Sequence, residues 1–255
     1  MSQQALHFET GSATHAGKIR DVNEDNYLVG PDCGIWMVAD GMGGHKNGKL
    51  ASSLVVEAAR TLGRAASAPD LLARFNDRIF RANAELLKLS GGHEDSVIGS
   101  TIAALLVFGN HFACVWSGDS RVYRVRAGKI SQISRDHTEV QELVDRGIIK
   151  PSEAKTWPRR NVITRAVGVF EEPDLEAVQG ELQSGDIFVL CSDGLTGHVE
   201  DREILQQVMS APPQRACEAL IKLTLERGAR DNVTVIVVNC HNGNGTNVGR
   251  AETPR

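Results

Sequence analysis

The chain has 255 residues, 41% of them hydrophobic, and a formal net charge of −4, which allows one large domain or two small ones. No global basic field directs it to nucleic acid. Its longest apolar run, Ile102 to Phe108, is far too short to cross a bilayer. The first residues carry neither a charged nor an apolar leader segment, so no signal peptide is expected. Five scattered cysteines (Cys33, Cys114, Cys191, Cys217, Cys240) form no Cys-x-x-Cys, which disfavours a zinc site or a disulfide framework. The expected setting is cytoplasmic, in a reducing cytosol.

Residues 5–30 read as β-structure interrupted by a loop, Thr14 to Asp25, in which Arg20 precedes the acids Glu24 and Asp25. Next comes an apolar run, Ile35 to Ala39, closed by Asp40-Gly41-Met42-Gly43-Gly44-His45. The run predicts a buried strand, and the glycines let the backbone bend and approach a ligand closely. Taken alone, Asp40-Gly41 reads sooner as a hairpin turn than as a ligand. Leu50, Leu54, Val55, Ala58 and Leu62 recur at helical spacing and predict a helix over about 49–66. A second helix after Pro69 carries Leu72, Phe75, Ile79, Ala82 and Leu86 on one face, making a helical hairpin.

Four short strands are expected at Thr101–Phe108, Phe112–Trp116, Arg121–Arg126 and Ile130–Ser134. Their links are too short for parallel crossovers. Residues 136–160 read as a surface flap with a short amphipathic helix and a basic irregular stretch. Strands are expected again at 162–167 and 175–178. Ile187 to Gly194 then repeats the apolar-run-to-Asp-Gly logic at Asp193. Two helices, about 201–209 and 213–227, lead to Asp231-Asn232 and a last strand, 233–238. One domain is expected over 1–240, with 241–255 a disordered tail. This order predicts an α+β fold: a four-layer αββα sandwich of two antiparallel sheets flanked by helical hairpins.

Asp40, Asp119, Asp193 and Asp231 each abut an apolar strand, three at strand ends and one at a strand start. In antiparallel sheets those positions meet at one edge. Clustered carboxylates repel unless cations neutralise them, and an all-oxygen set selects Mg²⁺ or Mn²⁺. Two such ions suit hydrolysis of a phosphate ester, with Arg20 gripping the remaining phosphate oxygens.

The ordered set Arg20-x-x-Asn23-Glu24-Asp25, Asp40-Gly-Met-Gly-Gly-His45, Gly99-Ser100-Thr101, Gly118-Asp119-Ser120-Arg121, Ser192-Asp193-Gly194 and Asp231-Asn232 resembles the metal-dependent protein phosphatases. That is the PPM, or protein phosphatase 2C-like, family, and the likeness is to its compact bacterial serine/threonine phosphatases over about residues 5–240. The resemblance implies two Mn²⁺ or Mg²⁺ ions and hydrolysis of phosphoserine or phosphothreonine by a metal-activated water. It implies that Asp40 bridges the ions, that Gly41 lends a backbone carbonyl, and that Asp193 and Asp231 complete the pair. Asp119 with Asp193 matches a weaker third-metal site, Glu24 and Asp25 match acids that hold metal waters, and Asn232 would support them. The implied partners are phosphorylated proteins, those of a cognate Ser/Thr kinase, and a monomer is expected. Many eukaryotic members carry a histidine after the Asp-Gly pair as a proposed general acid. Here that place is Met42, which donates no proton, and His45 lies nearby.

Two other readings compete. Gly43 to Leu50 nearly fits a phosphate-binding P-loop but fails at Leu50, where Ser or Thr must reach Mg²⁺. A degenerate phosphatase that only docks partners is opposed by the full set of expected ligands, and aryl phosphate turnover with Mn²⁺ separates the two.

Overall fold

The computed structural model describes residues 6–44, 47–91 and 97–242. Its elements in chain order begin with β1 (Leu6–His15), β2 (Asp25–Gly30), β3 (Ile35–Met42), α1 (Asn47–Arg60) and α2 (Ala68–Ser90). β4 (Gly99–Ser100), β5 (Ile102–Phe108), β6 (His111–Ser117), β7 (Arg121–Arg126) and β8 (Lys129–Gln132) follow. The flap holds α3 (Glu139–Asp145) and α4 (Pro151–Ala154). The chain closes with β9 (Glu176–Glu181), β10 (Ile187–Cys191), α5 (Asp193–Thr196), α6 (Asp201–Ser210), α7 (Pro213–Glu226) and β11 (Val233–Asn242).

Two antiparallel sheets result, ordered β1-β11-β10-β7-β8 and β2-β3-β5-β6-β9, with β4 added beside β3. Side-chain alternation along each strand divides the apolar residues into three layers. Ile35, Met37 and Ala39 of β3 face α1 and α2, where they meet Val55, Phe75 and Ile79. Trp36 and Val38 face the other sheet, against Phe188, Leu190, Ile236 and Val238. Val189, Val235 and Val237 turn outward onto α6 and α7, against Ile204, Ala216 and Leu220. Trp36 is fully buried at the centre, and its indole N–H donates to Thr10 Oγ1 at 3.0 Å, so the ring is buried without an orphaned donor. The helical hairpin is punctuated as expected: Ser67 accepts from the Asp70 N–H at 3.2 Å and Pro69 opens the first turn of α2.

The structure departs from the sequence reading in four places. No strand forms at 162–167, because that segment makes single bridges to two different partners, Ile163 to Thr138 and Val167 to Ser100. α1 stops at Arg60 rather than near residue 66, and Gly63 adopts a left-handed backbone beyond it. Asp193 does not end a strand; β10 stops at Cys191 and Asp193 opens the short α5. His241 and Asn242 belong to β11, paired with His7 and Leu6, and the rest of the expected tail lies outside the described residues.

Candidate metal centre

The alternation that builds the middle layer also places the acids. Trp36, Val38 and Asp40 share one face of β3, so Asp40 continues the inter-sheet face to the end of the sandwich. Asp25 lies directly opposite Asp40 in the register of β2 and β3. Across the gap, Ile236 and Val238 share their face with Thr234, and Phe188 and Leu190 share theirs with Ser192. At this end the apolar layer therefore gives way to a polar one.

The polar layer is wired in one direction. Asp25 Oδ2 accepts from Ser192 Oγ at 2.8 Å and from Thr234 Oγ1 at 2.7 Å, which ties the two sheets together. Thr234 Oγ1 has one proton and gives it to Asp25, so its 2.7 Å contact with Thr14 is a bond that Thr14 donates. Thr14 Oγ1 in turn accepts from Asn23 Nδ2 at 2.8 Å. The chain from Asn23 through Thr14 and Thr234 saturates Oδ2 and leaves Asp25 Oδ1 without a partner.

Asn232 organises the loop that carries Arg20. Its Oδ1 accepts from the Glu24 N–H at 2.8 Å, and its Nδ2 donates to the carbonyls of Ala16 and Val22. Arg20 is half-exposed at the mouth, and its Nη2 pairs with Asp231 Oδ2 at 2.9 Å. The Asp40 backbone is held by Thr101, whose Oγ1 accepts from the Asp40 N–H at 3.1 Å and whose N–H donates to the Asp40 carbonyl at 2.8 Å. Gly41 has no room for a side chain: a Cβ there would collide with the Gly48 carbonyl and lie 2.9 Å from the Glu24 carbonyl. Gly194 is pressed in the same way against the Asn232 carbonyl.

Burial dominates the electrostatics. Enclosure pushes Asp25 up to about 7, against the donors Thr234 and Ser192, with Asp193 and Asp231 adding to the rise. Enclosure also pushes Asp193 up to about 6, and the Asp231 charge adds to it. Asp40 is held well above the usual carboxylate range, first by burial and then by Asp25, Asp193, Asp119 and Asp231 together. Asp119, buried between β6 and β7, is raised by burial and by Asp193 and Asp136. Asp40 thus sits within repulsive reach of the four other aspartates.

The donor set fits hard cations. Every described buried carboxylate oxygen that lacks a hydrogen-bond partner belongs to Glu24, Asp25 or Asp193, and all three line this site. No three His, Cys, Asp or Glu side chains among the described residues close a cage by themselves. Carboxylate and backbone carbonyl oxygens are the donors that Mg²⁺ and Mn²⁺ take, with water completing the shell.

Of the residues singled out from sequence, Asp25, Asp40, Asp119, Asp193 and Asp231 are within electrostatic reach of one another, with Arg20, Glu24, Gly41 and Asn232 around them. His45 lies outside the described residues. Sequence reasoning missed Ser192 and Thr234 as supports of Asp25. It also missed Gly48, where a Cβ would strike the Glu24 carboxylate and lie 2.7 Å from the Gly41 carbonyl. The glycine that imitates a P-loop is there for this close approach. Arg121, quoted in the motif around Asp119 but given no role there, forks onto Asp136 at 2.9 and 2.6 Å and lowers both Asp119 and Asp193.

A two-sheet αββα sandwich with an acidic centre at one end of the inter-sheet layer defines the class. The sequence profile of the family Protein phosphatase 2C matches residues 15–220. The chain belongs to that family. It is 37% identical over 239 residues to the serine/threonine protein phosphatase PstP of Mycobacterium tuberculosis, an alignment covering 93% of this chain and 46% of that relative. The chain thus spans about half the length of that relative. The fold is similar to PppA of Pseudomonas aeruginosa, described as a key regulatory component of T6SS, with a TM-score of 0.87, 39% identity and coverage of 93% and 100%. It is also similar to the catalytic domain of PstP in complex with two manganese ions, with a TM-score of 0.83, 36% identity and coverage of 93% and 100%. No described helix is long and apolar enough to cross a membrane.

Proposed function

We propose that the chain is a metal-dependent phosphoprotein phosphatase that hydrolyses phosphoserine and phosphothreonine. The observation that carries this reading is the set of partnerless buried oxygens of Glu24, Asp25 and Asp193 around an Asp40 crowded by four other aspartates. Asp40, the Gly41 carbonyl, Asp193 and Asp231 would hold two Mn²⁺ or Mg²⁺ ions, and Asp119 with Asp193 a third, weaker one. When bound, such ions neutralise the carboxylates, polarise phosphoryl oxygens and activate water for attack on phosphorus.

The chain's own groups supply the rest. Arg20 turns from Asp231 to the substrate phosphate, where its fork grips two oxygens. Glu24 and Asp25 orient water through their partnerless oxygens, and Asn232 keeps the loop of Arg20 and Glu24 in register. His45, which closes the Asp40-Gly41-Met42-Gly43-Gly44 stretch in sequence, is a supporting residue. Phosphorylated proteins are the substrates, those of a cognate Ser/Thr kinase, and the enzyme acts as a cytoplasmic monomer over residues 1–240. Turnover of an aryl phosphate with Mn²⁺, lost on chelation, tests the reading; absence of any turnover contradicts it.

The wiring of Asp25 makes a specific demand. Thr234→Val keeps the shape but removes the donor to Asp25 and the acceptor for Thr14. Mn²⁺ affinity measured by calorimetry is expected to fall ~10–100-fold, the usual effect of losing a group that orients a metal ligand. Unchanged affinity would show that the chain through Thr234 does not set Asp25.

Asp119 bears on the leaving group. Met42 offers no proton, so the alkoxide must be protonated from elsewhere, and the reading gives Asp119 the part of holding that source. Asp119→Ala is expected to keep tight Mn²⁺ binding at two sites and slow phosphoserine hydrolysis by roughly 10²–10⁴-fold, the range of general acid help. An aryl phosphate, with a good leaving group, should suffer much less. Equal losses on both substrates would return Asp119 to a turn-forming role.

A further inference from the structure

His137 stands at the root of the flap and is buried against the turn that carries Asp119. Its backbone N–H donates to the Gly118 carbonyl at 2.9 Å, and the Gly118 N–H donates back to His137 Nδ1 at 3.2 Å. Both backbone polar groups of Gly118 therefore bond to one residue, 19 positions along the chain. The Trp116 indole lies beside the imidazole, with ring centroids 6.2 Å apart. His137 Nε2 is 3.3 Å from Glu176 Oε1 of β9, the oxygen that Arg165 Nη1 also reaches at 2.7 Å.

These bonds define the state of the ring. Nδ1 accepts only when it carries no proton, so the neutral ring holds its proton on Nε2, where Glu176 accepts it. Burial and then the Arg165 charge hold the imidazole below its ordinary value, with Glu176 and Asp174 opposing. The turn itself has no slack. Gly118 takes a left-handed backbone, φ 107°, and a Cβ there would stand 2.6 Å from Thr101 Cγ2. Thr101 holds the Asp40 backbone, and its Oγ1 meets Ser120 Oγ at 2.7 Å. Asp119 thus stands between two fixed points, Gly118 on His137 and Ser120 on Thr101, and its charge is felt by Asp40. Without Nδ1 the buried Gly118 N–H would lack its partner, and the turn would have to shift to find another.

We propose that His137 is a positioning residue for Asp119: its ring fixes the Gly118 amide, and with it the direction in which the Asp119 carboxylate enters the centre. Glu176 sets the tautomer that lets the ring accept. His137 acts through Asp119 alone. Its consequence for hydrolysis rests on the phosphatase reading, in which Asp119 holds the proton source for the leaving group.

The experiment separates the two ring nitrogens. In His137→Asn an oxygen takes the place of Nδ1. In His137→Gln a polar group takes the place of Nε2, and nothing accepts from Gly118. His137→Gln is expected to slow phosphoserine peptide hydrolysis roughly 10–100-fold, chiefly in kcat, the usual effect of losing a group that orients a metal ligand. Turnover of 4-nitrophenyl phosphate should fall much less, and His137→Asn should recover most of the loss. In an Asp119→Ala background, His137→Gln should cost nothing more. Equal losses on both substrates, or a further loss in that background, would make His137 a packing contact only and overturn the proposal. Two measurements in EDTA need no turnover. Nitrogen NMR of the parent should show His137 protonated at Nε2 and bare at Nδ1. Hydrogen exchange should show the Gly118 amide protected in the parent and in His137→Asn, but not in His137→Gln. A proton on Nδ1, or equal protection in His137→Gln, overturns the proposal whatever the enzyme hydrolyses. The expected ring state and amide pattern in a protein without turnover would uphold the positioning and contradict the phosphatase reading.

Discussion

Replacing Asp40 by asparagine is expected to cut turnover by at least ~10³-fold, since the proposed metal site would lose a carboxylate ligand and with it several kcal/mol of transition-state stabilisation. The fold should survive. Asparagine keeps the shape, and Asp40 is held in place by backbone bonds to Thr101 rather than through its carboxylate. Without metal the variant should be at least as stable as the parent, because the half-buried Asp40 lies among Asp25, Asp193, Asp119 and Asp231 and each adds repulsion.

That repulsion has a pH signature. A carboxylate raised on folding holds its proton more tightly in the native state. Its contribution is full below the unfolded value of 3.8 and is lost as pH climbs through the folded one. With Asp193 pushed up to about 6 and Asp25 to about 7, the metal-free protein should lose stability across that rise. Glu203, lowered to about 2 first by its hydrogen bond from Arg227, acts in the opposite sense but in a lower window, between 4.5 and about 2. Thermal unfolding in EDTA should show Tm falling from weakly acidic to neutral pH, with a shallower fall in Asp40→Asn. A variant that retains turnover, or that is less stable than the parent without metal, would remove Asp40 from the centre.

Arg20→Ala is expected to lower kcat/KM by roughly 10–100-fold, chiefly through KM, with kcat reduced as well if the grip tightens in the transition state. The guanidinium sits half-exposed at the mouth, and the 2.9 Å pair with Asp231 holds it at the acidic centre. An exposed pair of this kind contributes little to stability, ~0–1 kcal/mol, so the loss should appear in kinetics and not in Tm. Arg20→Lys should restore activity only in part, because an ammonium cannot form the planar fork. Unchanged kinetics in both variants would leave Arg20 a surface charge.

Much of this centre is legible in the sequence because strand alternation carries it. The apolar run into Asp40 predicts both the strand and the end of the sandwich at which its acid emerges, and the repeat at Asp193 gives the facing sheet. Acids on sheets joined by short antiparallel links have few places to gather. What escapes the sequence is the contact between distant segments. Ser192 and Thr234 reach Asp25 from 167 and 209 residues away, and nothing local marks either hydroxyl as a support for a carboxylate. Gly48 escapes for a related reason, since its need for a bare Cα arises from Gly41 and Glu24 in neighbouring elements. The segment 162–167 has strand-like composition, yet its neighbours Thr138 and Ser100 belong to different parts of the molecule and no ladder can extend.

The most direct measurement is hydrolysis of 4-nitrophenyl phosphate by protein stripped with EDTA and then titrated with Mn²⁺ or Mg²⁺, alongside Asp40→Asn and Asp193→Asn. The account predicts no turnover in the stripped protein, recovery that saturates with either ion, and no recovery in either variant. Full activity in metal-free buffer, or recovery in the variants equal to that of the parent, would contradict it.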